Sequence, residues 1–106
     1  MGEQFTLKVG DTSPRMDAIL RDAEGDPIDL SATTVNLRLL HPRGDEVALE
    51  RRVTIVSEED GHVRHEWGDD DTDEAGRYRV EFVATYPNDS KETFPNDGFH
   101  DLLITE

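Results

Sequence analysis

Five carboxylates crowd into one short run, Asp69-Asp70-Asp71-Thr72-Asp73-Glu74, between Trp67 and the alternating stretch Arg77–Phe82. Acids this dense raise the question of a cation site. A helical-hand calcium loop places acids at its first, third and fifth positions, glycine at the sixth and glutamate at the twelfth. Counted from Asp69, the first three requirements are met by Asp69, Asp71 and Asp73, but Glu74 and Val80 occupy the two demanding positions. Counted from Asp71, Ala75 falls on the fifth position and Phe82 on the twelfth. The run therefore reads as a solvated acidic turn, and no metal ligand is assigned.

The other reactive side chains are equally uncommitted. His62 and His65 are three residues apart, and on a strand that spacing points them to opposite faces. His65 shares the face of Val63 and Trp67 and is expected to be a partly buried, hydrogen-bonded histidine. His41 and His100 lie near turns, so no zinc site is expected. The serines (Ser13, Ser31, Ser57, Ser90) fall in turns or at strand ends, and none sits in a Gly-x-Ser-x-Gly elbow. Carboxylates are too abundant for any pair of them to point to glycosidase chemistry. There is no phosphate-cradling glycine loop. No catalytic or cofactor-binding residue is assigned, and the chain is expected not to be an enzyme. Arg43-Gly44-Asp45 spells an adhesion tripeptide but reads as an ordinary hairpin turn. Asn88-Asp89-Ser90 is a glycosylation sequon in a loop, expected to stay bare.

What positions these residues is a set of short strands. Period-two alternation puts Phe5, Leu7 and Val9 on one face of a strand. The same holds for Met16, Ala18 and Leu20, for Val35, Leu37 and Leu39, and for Val53 and Ile55 within Glu50–Val56. Val63, His65 and Trp67 follow, then Tyr78, Val80, Phe82, Ala84 and Tyr86, then the closing Phe99–Thr105. Turn signals rich in Gly, Pro, Asn and Asp separate them. No helical stripe is present; Leu30–Thr34 offers one short turn at most. The expected fold is all-β, an immunoglobulin-like antiparallel β-sandwich of seven or eight short strands, forming a single domain over residues 1–106. Within it, Glu74-Ala75-Gly76-Arg77-Tyr78 matches the tyrosine corner of such sandwiches, in which the hydroxyl bonds back to the upstream backbone.

Composition narrows the function classes. The chain has 106 residues, no cysteine and a formal charge of −14 from 25 acids and 11 bases. Disulfides, thiolate metal sites and thiol nucleophiles are excluded. No cluster of bases exists to neutralise phosphates, so no nucleic-acid partner is expected. The N-terminal stretch has no cationic start and no apolar segment, so no signal peptide is expected. No apolar run approaches the roughly 20 residues of a membrane span, so no membrane partner is expected. Nine of the bases are arginine and only Lys8 and Lys91 are lysine. A uniformly acidic, lysine-poor surface suits molar salt, where the Debye length is about 3 Å and self-repulsion is screened. A halophilic source is expected.

Two blocks carry a resemblance. The first is Asp22, Gly25, Pro27, Asp29, Leu30 and Val35; the second is Trp67, Asp71, Thr72, Gly76, Tyr78, Glu81 and Phe82, followed by Thr93-Phe94-Pro95-Asn96-Asp97-Gly98 and the aromatic Phe99. In this order they resemble the N-terminal domain of the upper baseplate protein family of tailed phages. The resemblance implies an immunoglobulin-like sandwich serving as a non-enzymatic virion building block. Its partners would be other virion proteins of the tail, baseplate or capsid, in multiple copies within a symmetric assembly, with no cofactor. That family continues past this domain into a helical trimerising segment, whereas this chain stops at Glu106. Docking is therefore expected to fall to the domain itself, which leaves tail, fibre-attachment and capsid-decoration positions open. Two docking routes are expected. One is edge-strand addition at Phe5–Val9 or Leu102–Ile104. The other is a surface formed by Phe94, Pro95, Asn96, Asp97 and Phe99, in which the phenylalanines serve either as exposed anchors or as core plugs. The rival class is a carbohydrate- or calcium-binding sandwich on the virion surface, used in host attachment.

Overall fold

The computed structural model describes residues 4–13, 15–41, 43, 46–68, 70–94 and 100–106. Among the described residues nine strands form: β1 (Gln4–Lys8), β2 (Met16–Ile19), β3 (Thr34–Leu40), β4 (Val47–Arg52), β5 (Thr54–Ser57), β6 (His62–His65), β7 (Gly76–Thr85), β8 (Lys91–Phe94) and β9 (His100–Thr105). They build two sheets. The larger runs β1-β9-β7-β3-β4, with β8 also on β7; the smaller runs β2-β6-β5. This is the expected all-β immunoglobulin-like sandwich, with the smaller sheet in the place of strands B, E and D and the larger in that of G, F, C and C′. All pairings are antiparallel except β1 with β9, which is parallel. Among the described residues no helix is long and apolar enough to cross a membrane.

Three details depart from the sequence reading. First, Glu50–Val56 is not one strand. β4 belongs to the larger sheet and β5 to the smaller. Buried Val53 makes the crossing between them and donates its N–H to the Val35 carbonyl at 3.0 Å. Second, Lys91–Phe94 is a strand. β3 occupies one side of β7 from Arg79 to Thr85, so β8 and β9 share the other side: Phe94 faces Phe82 and His100 faces Val80. Third, Leu102–Ile104 is not an edge. β9 lies between β1 and β7 with both of its sides paired, which closes it to strand addition and leaves β1 as the edge on that side.

The core follows the alternation. Val35, Leu37 and Leu39 of β3, Val80, Phe82 and Ala84 of β7, and Leu102 and Ile104 of β9 face Met16, Leu20, Leu30 and Val63. Phe82 and Phe94 pair across two strands at 1% and 2% exposure. Truncating either to alanine should cost about 3–5 kcal/mol. Leu30–Thr34 makes the short turn expected of it, closed by the Thr33 N–H on the Leu30 carbonyl at 3.1 Å.

Candidate functional site

Asp71 is the centre of the polar structure, and it is not solvated. Its side chain is only 5% exposed. Its Oδ2 accepts the Gly68 N–H at 2.8 Å and the His65 Nε2 at 3.0 Å, while Oδ1 accepts the Arg51 Nε at 3.0 Å. The expectation of a solvated acidic turn is therefore wrong at this residue. The reason is local. β6 ends at His65, Trp67 folds back into the core at 3% exposure, and the chain that follows carries Asp71 beneath β3 and β4.

Each partner of Asp71 is placed by its own strand. His65 lies on the inward face of β6, as its parity with Val63 requires, and is buried. Its ring meets Trp67 edge-on at 4.7 Å between centroids, and Trp67 in turn leans on Phe5 at 6.3 Å. Burial holds the imidazole below its usual pKa against the opposing pull of Asp71, so His65 is neutral near pH 7. Since Asp71 offers only acceptors to its donors, the proton sits on Nε2. Arg51 stands opposite Leu37 on the inward side of edge strand β4, with its side chain 45% exposed. An inward-pointing charge on an edge strand is a recognised way of blunting that edge.

Thr72, the next residue, is fully buried. Its hydroxyl donates to the Asp11 carbonyl at 3.0 Å and accepts the Gly10 N–H at 3.1 Å. The 66–75 segment is thereby tied to the turn after β1, some sixty residues earlier. The Tyr78 hydroxyl then donates to the Glu74 carbonyl at 2.9 Å, which completes the expected tyrosine corner. Burial raises the pKa of that hydroxyl, with Glu74 adding to the effect.

The arrangement is a clamp. A buried carboxylate on an imidazole has the composition of a hydrolase relay, but the hydroxyls of Ser31, Ser57 and Ser90 bond to Asp29, Asp60 and Asn88 in their own turns, and Ser13 is exposed ahead of β2. A pocket of about 140 Å³ lies between Leu39 and Leu49 on one side and Asp70, Asp73 and Glu74 on the other. That is below the roughly 300–1,000 Å³ of a small-molecule site. A cation placed there would compete with Arg51 and His65 for Asp71.

The remaining sequence candidates fall as follows. Phe94 is core, paired with Phe82, on the core-plug side of the alternative. Pro95, Asn96, Asp97 and Phe99 lie outside the described residues, as do Asp69, Gly44 and Asp45. Arg43 is exposed in a turn closed by the His41 N–H on the Glu46 carbonyl. His62 faces outward, opposite in direction to His65, and lies 3.3 Å from Asp17, which also accepts Arg64 at 2.8 Å. The Arg64 hydrogen bond is the main cause of the lowered Asp17 pKa.

Two groups went unread in the sequence. Arg51 shares its parity with the apolar Val53 and Ile55, and that misfit was the available signal. Asp22, Glu24 and Asp26 bring one carboxylate oxygen each within 4.8 Å of one another, a D-x-E-x-D spacing in an exposed loop. Asp22 Oδ1 there accepts the N–H groups of Glu24 and Asp26, at 2.9 and 3.0 Å. Compared with known protein-family models and with curated proteins, the chain finds no match.

Proposed function

We propose that the chain is a non-enzymatic structural protein of a tailed virus particle, a baseplate, tail or capsid-associated component that acts in virion assembly by rigid protein–protein docking. In this reading it sits in the virion in multiple copies, and its acidic surface is that of a virus with a halophilic host. The observation that supports the reading is how the residues of the resemblance are used. Trp67, Asp71, Thr72 and Tyr78 all serve to fix one corner of the sandwich. A motif that builds a stiff corner suits a part whose work is to hold shape against neighbours. The test is purification of particles from the source virus through successive density gradients. The reading expects this chain to co-sediment at a fixed ratio to the major structural protein. Its absence from washed particles would reject it.

The second reading is a calcium- or carbohydrate-binding module on the virion surface. The Asp22–Glu24–Asp26 group favours its calcium form. A rise in melting temperature with calcium chloride or with sugars would support it, and an unchanged melt across both would set it aside.

A further inference from the structure

The charges of this protein are segregated in a way its net charge conceals. Side chains on the outward face of the larger sheet follow from the strand registers. Lys8 and Thr105 form one row; Thr6, Leu103 and Arg77 the next; Asp101, Arg79 and the buried Leu40 the third. Glu81, Arg38 and Glu50 form the fourth row, and Val83, Asn36 and Arg52 the fifth. Thr85 and Lys91 close the face. It carries six cations and three carboxylates, a formal +3, in a chain whose total is −14. The rest of the molecule therefore carries −17. Lys8, Arg52, Arg77 and Lys91 are exposed on this face.

The opposite charge is also concentrated. The loop of residues 21–33 and the turn of residues 57–61 are joined by backbone bonds, Leu30 N–H to the Glu58 carbonyl and Leu20 N–H to the Gly61 carbonyl, both at 2.9 Å. Together they hold seven acids against the single base Arg21. Glu24, Asp26, Glu58 and Glu59 are exposed there. The joined loops stand at one end of the smaller sheet, where β2 leaves it and β5 turns into β6.

We infer that the outward face of the larger sheet is the contact surface for a second copy of this chain, which presents its acidic loop pair to it. The inference deepens the assembly reading and rests on it for the copy number, not for the halophilic host, since molar salt would screen the charge match. Charge complementarity names the occupant, since each copy carries both halves of the match at different places. A contact between two different patches is heterologous, and repetition of it produces rings or filaments. It fits a part used many times in a symmetric particle. Five strands at about 4.8 Å spacing give a face of the order needed for the roughly 800 Å² that each partner buries in a stable interface.

The experiment is sedimentation velocity of the full chain up to about 1 mM, at the lowest salt that keeps it folded. It compares wild type with Arg52→Glu/Arg77→Glu on the face and Glu24→Lys/Glu59→Lys on the loops. These substitutions are all at exposed positions, and circular dichroism checks that each variant is folded. Wild type should associate, and each double variant should weaken association by about tenfold or more per reversed charge. An equimolar mixture of the two variants should recover association, because the unaltered face of the loop variant meets the unaltered loops of the face variant and the two reversed patches also match. A wild type that stays monomeric, folded variants that associate like wild type, or a mixture that fails to recover would each overturn the inference. A monomer that still co-sediments with particles overturns this contact and leaves the assembly reading standing. Association without any presence in particles rejects the assembly reading and leaves the contact standing.

Discussion

Replacing Asp71 by alanine tests whether the buried carboxylate holds the corner together. Three donors lose their acceptor, but they are not equivalent. The Arg51 side chain is 45% exposed and can turn to water, so its loss should cost at most about 1 kcal/mol. The Gly68 N–H and the His65 Nε2–H are held at 2.8 and 3.0 Å on a side chain that is 5% exposed. Leaving the buried His65 donor unsatisfied costs about 1–3 kcal/mol and losing the bond of the exposed Gly68 about 0.5–1.5 kcal/mol, so the two together should cost about 1.5–4.5 kcal/mol. With a melting shift of about 4–8 °C per kcal/mol for a domain of this size, a mid-range loss of about 3 kcal/mol lowers the midpoint by roughly 12–24 °C. Asp71→Asn should cost less, about 1 kcal/mol. Its oxygen can take the place of Oδ2 and serve both of those donors, while its amide faces the half-exposed Arg51. Urea unfolding of wild type, Asp71→Ala, Asp71→Asn and Arg51→Ala at one fixed salt concentration gives the order. An alanine variant within about 0.5 kcal/mol of wild type would refute the reasoning. An Arg51→Ala loss equal to that of Asp71→Ala would also refute it, because the ion pair and not the other two donors would then carry the stability.

Other outcomes follow from the same geometry. Tyr78→Phe removes the hydroxyl on the Glu74 carbonyl and should cost about 1–2 kcal/mol in urea unfolding. Gly61→Ala should cost more than about 2 kcal/mol: φ is +64°, and the new methyl carbon would lie 2.7 Å from the Leu20 carbonyl oxygen and 2.9 Å from that of Ile28. Near-wild-type stability would show that this turn opens freely. Burial lowers the His65 pKa below its ordinary 6.5, so between the two values the unfolded chain binds the proton and the folded one does not. The His65 contribution is then complete above about pH 6.5 and is lost as pH falls below it. An NMR titration of the His65 ring should show a midpoint under 6.5, and one above it would reverse the sign. If the charge of −14 reflects adaptation to molar salt, the urea midpoint should rise steadily with sodium chloride, and undiminished stability at low salt would reject that origin.

The sandwich was legible because its core obeys one rule. Val35-Leu37-Leu39 and Tyr78-Val80-Phe82-Ala84 alternate without exception, and all are buried. The tyrosine corner was legible because glycine and tyrosine at fixed spacing demand a particular local geometry. Strand partners were not legible, since alternation assigns faces and not neighbours. Leu102-Leu103-Ile104 reads alike as an edge or as an interior strand, and only the position of β1 decides. The division of Glu50–Val56 between two sheets was hidden for the same reason: Val53 continues the period while the chain changes sheet. Asp71 was misread because its identity was averaged with that of its acidic neighbours. Nothing in a run of aspartates marks the one that turns inward, except that His65 and Arg51, far apart in sequence, both needed an acceptor.

The charge segregation itself has two layers, and only one of them is generic. Eight of the eleven bases lie on the nine strands, against five of the twenty-five acids. Intrinsic preference accounts for much of that. Aspartate is depleted in strands and favoured in turns, where its oxygen accepts nearby backbone N–H groups, as Asp11, Asp22 and Asp29 do here. Arginine can lay its long stem along a sheet and keep its charge in water. Preference alone would treat both sheets alike, and they are not alike. The outward face of the smaller sheet balances Asp17 with Arg64, whereas the larger carries six cations against three carboxylates. An excess confined to one sheet is what a contact surface would require and what strand chemistry does not supply. It also sets where salt must act. Screening relieves the repulsion among the loop acids, which destabilises the isolated domain, and it weakens any attraction between one copy's loops and another's sheet. Stability and self-association should therefore move in opposite directions as salt rises, a divergence that a uniformly acidic surface would not produce.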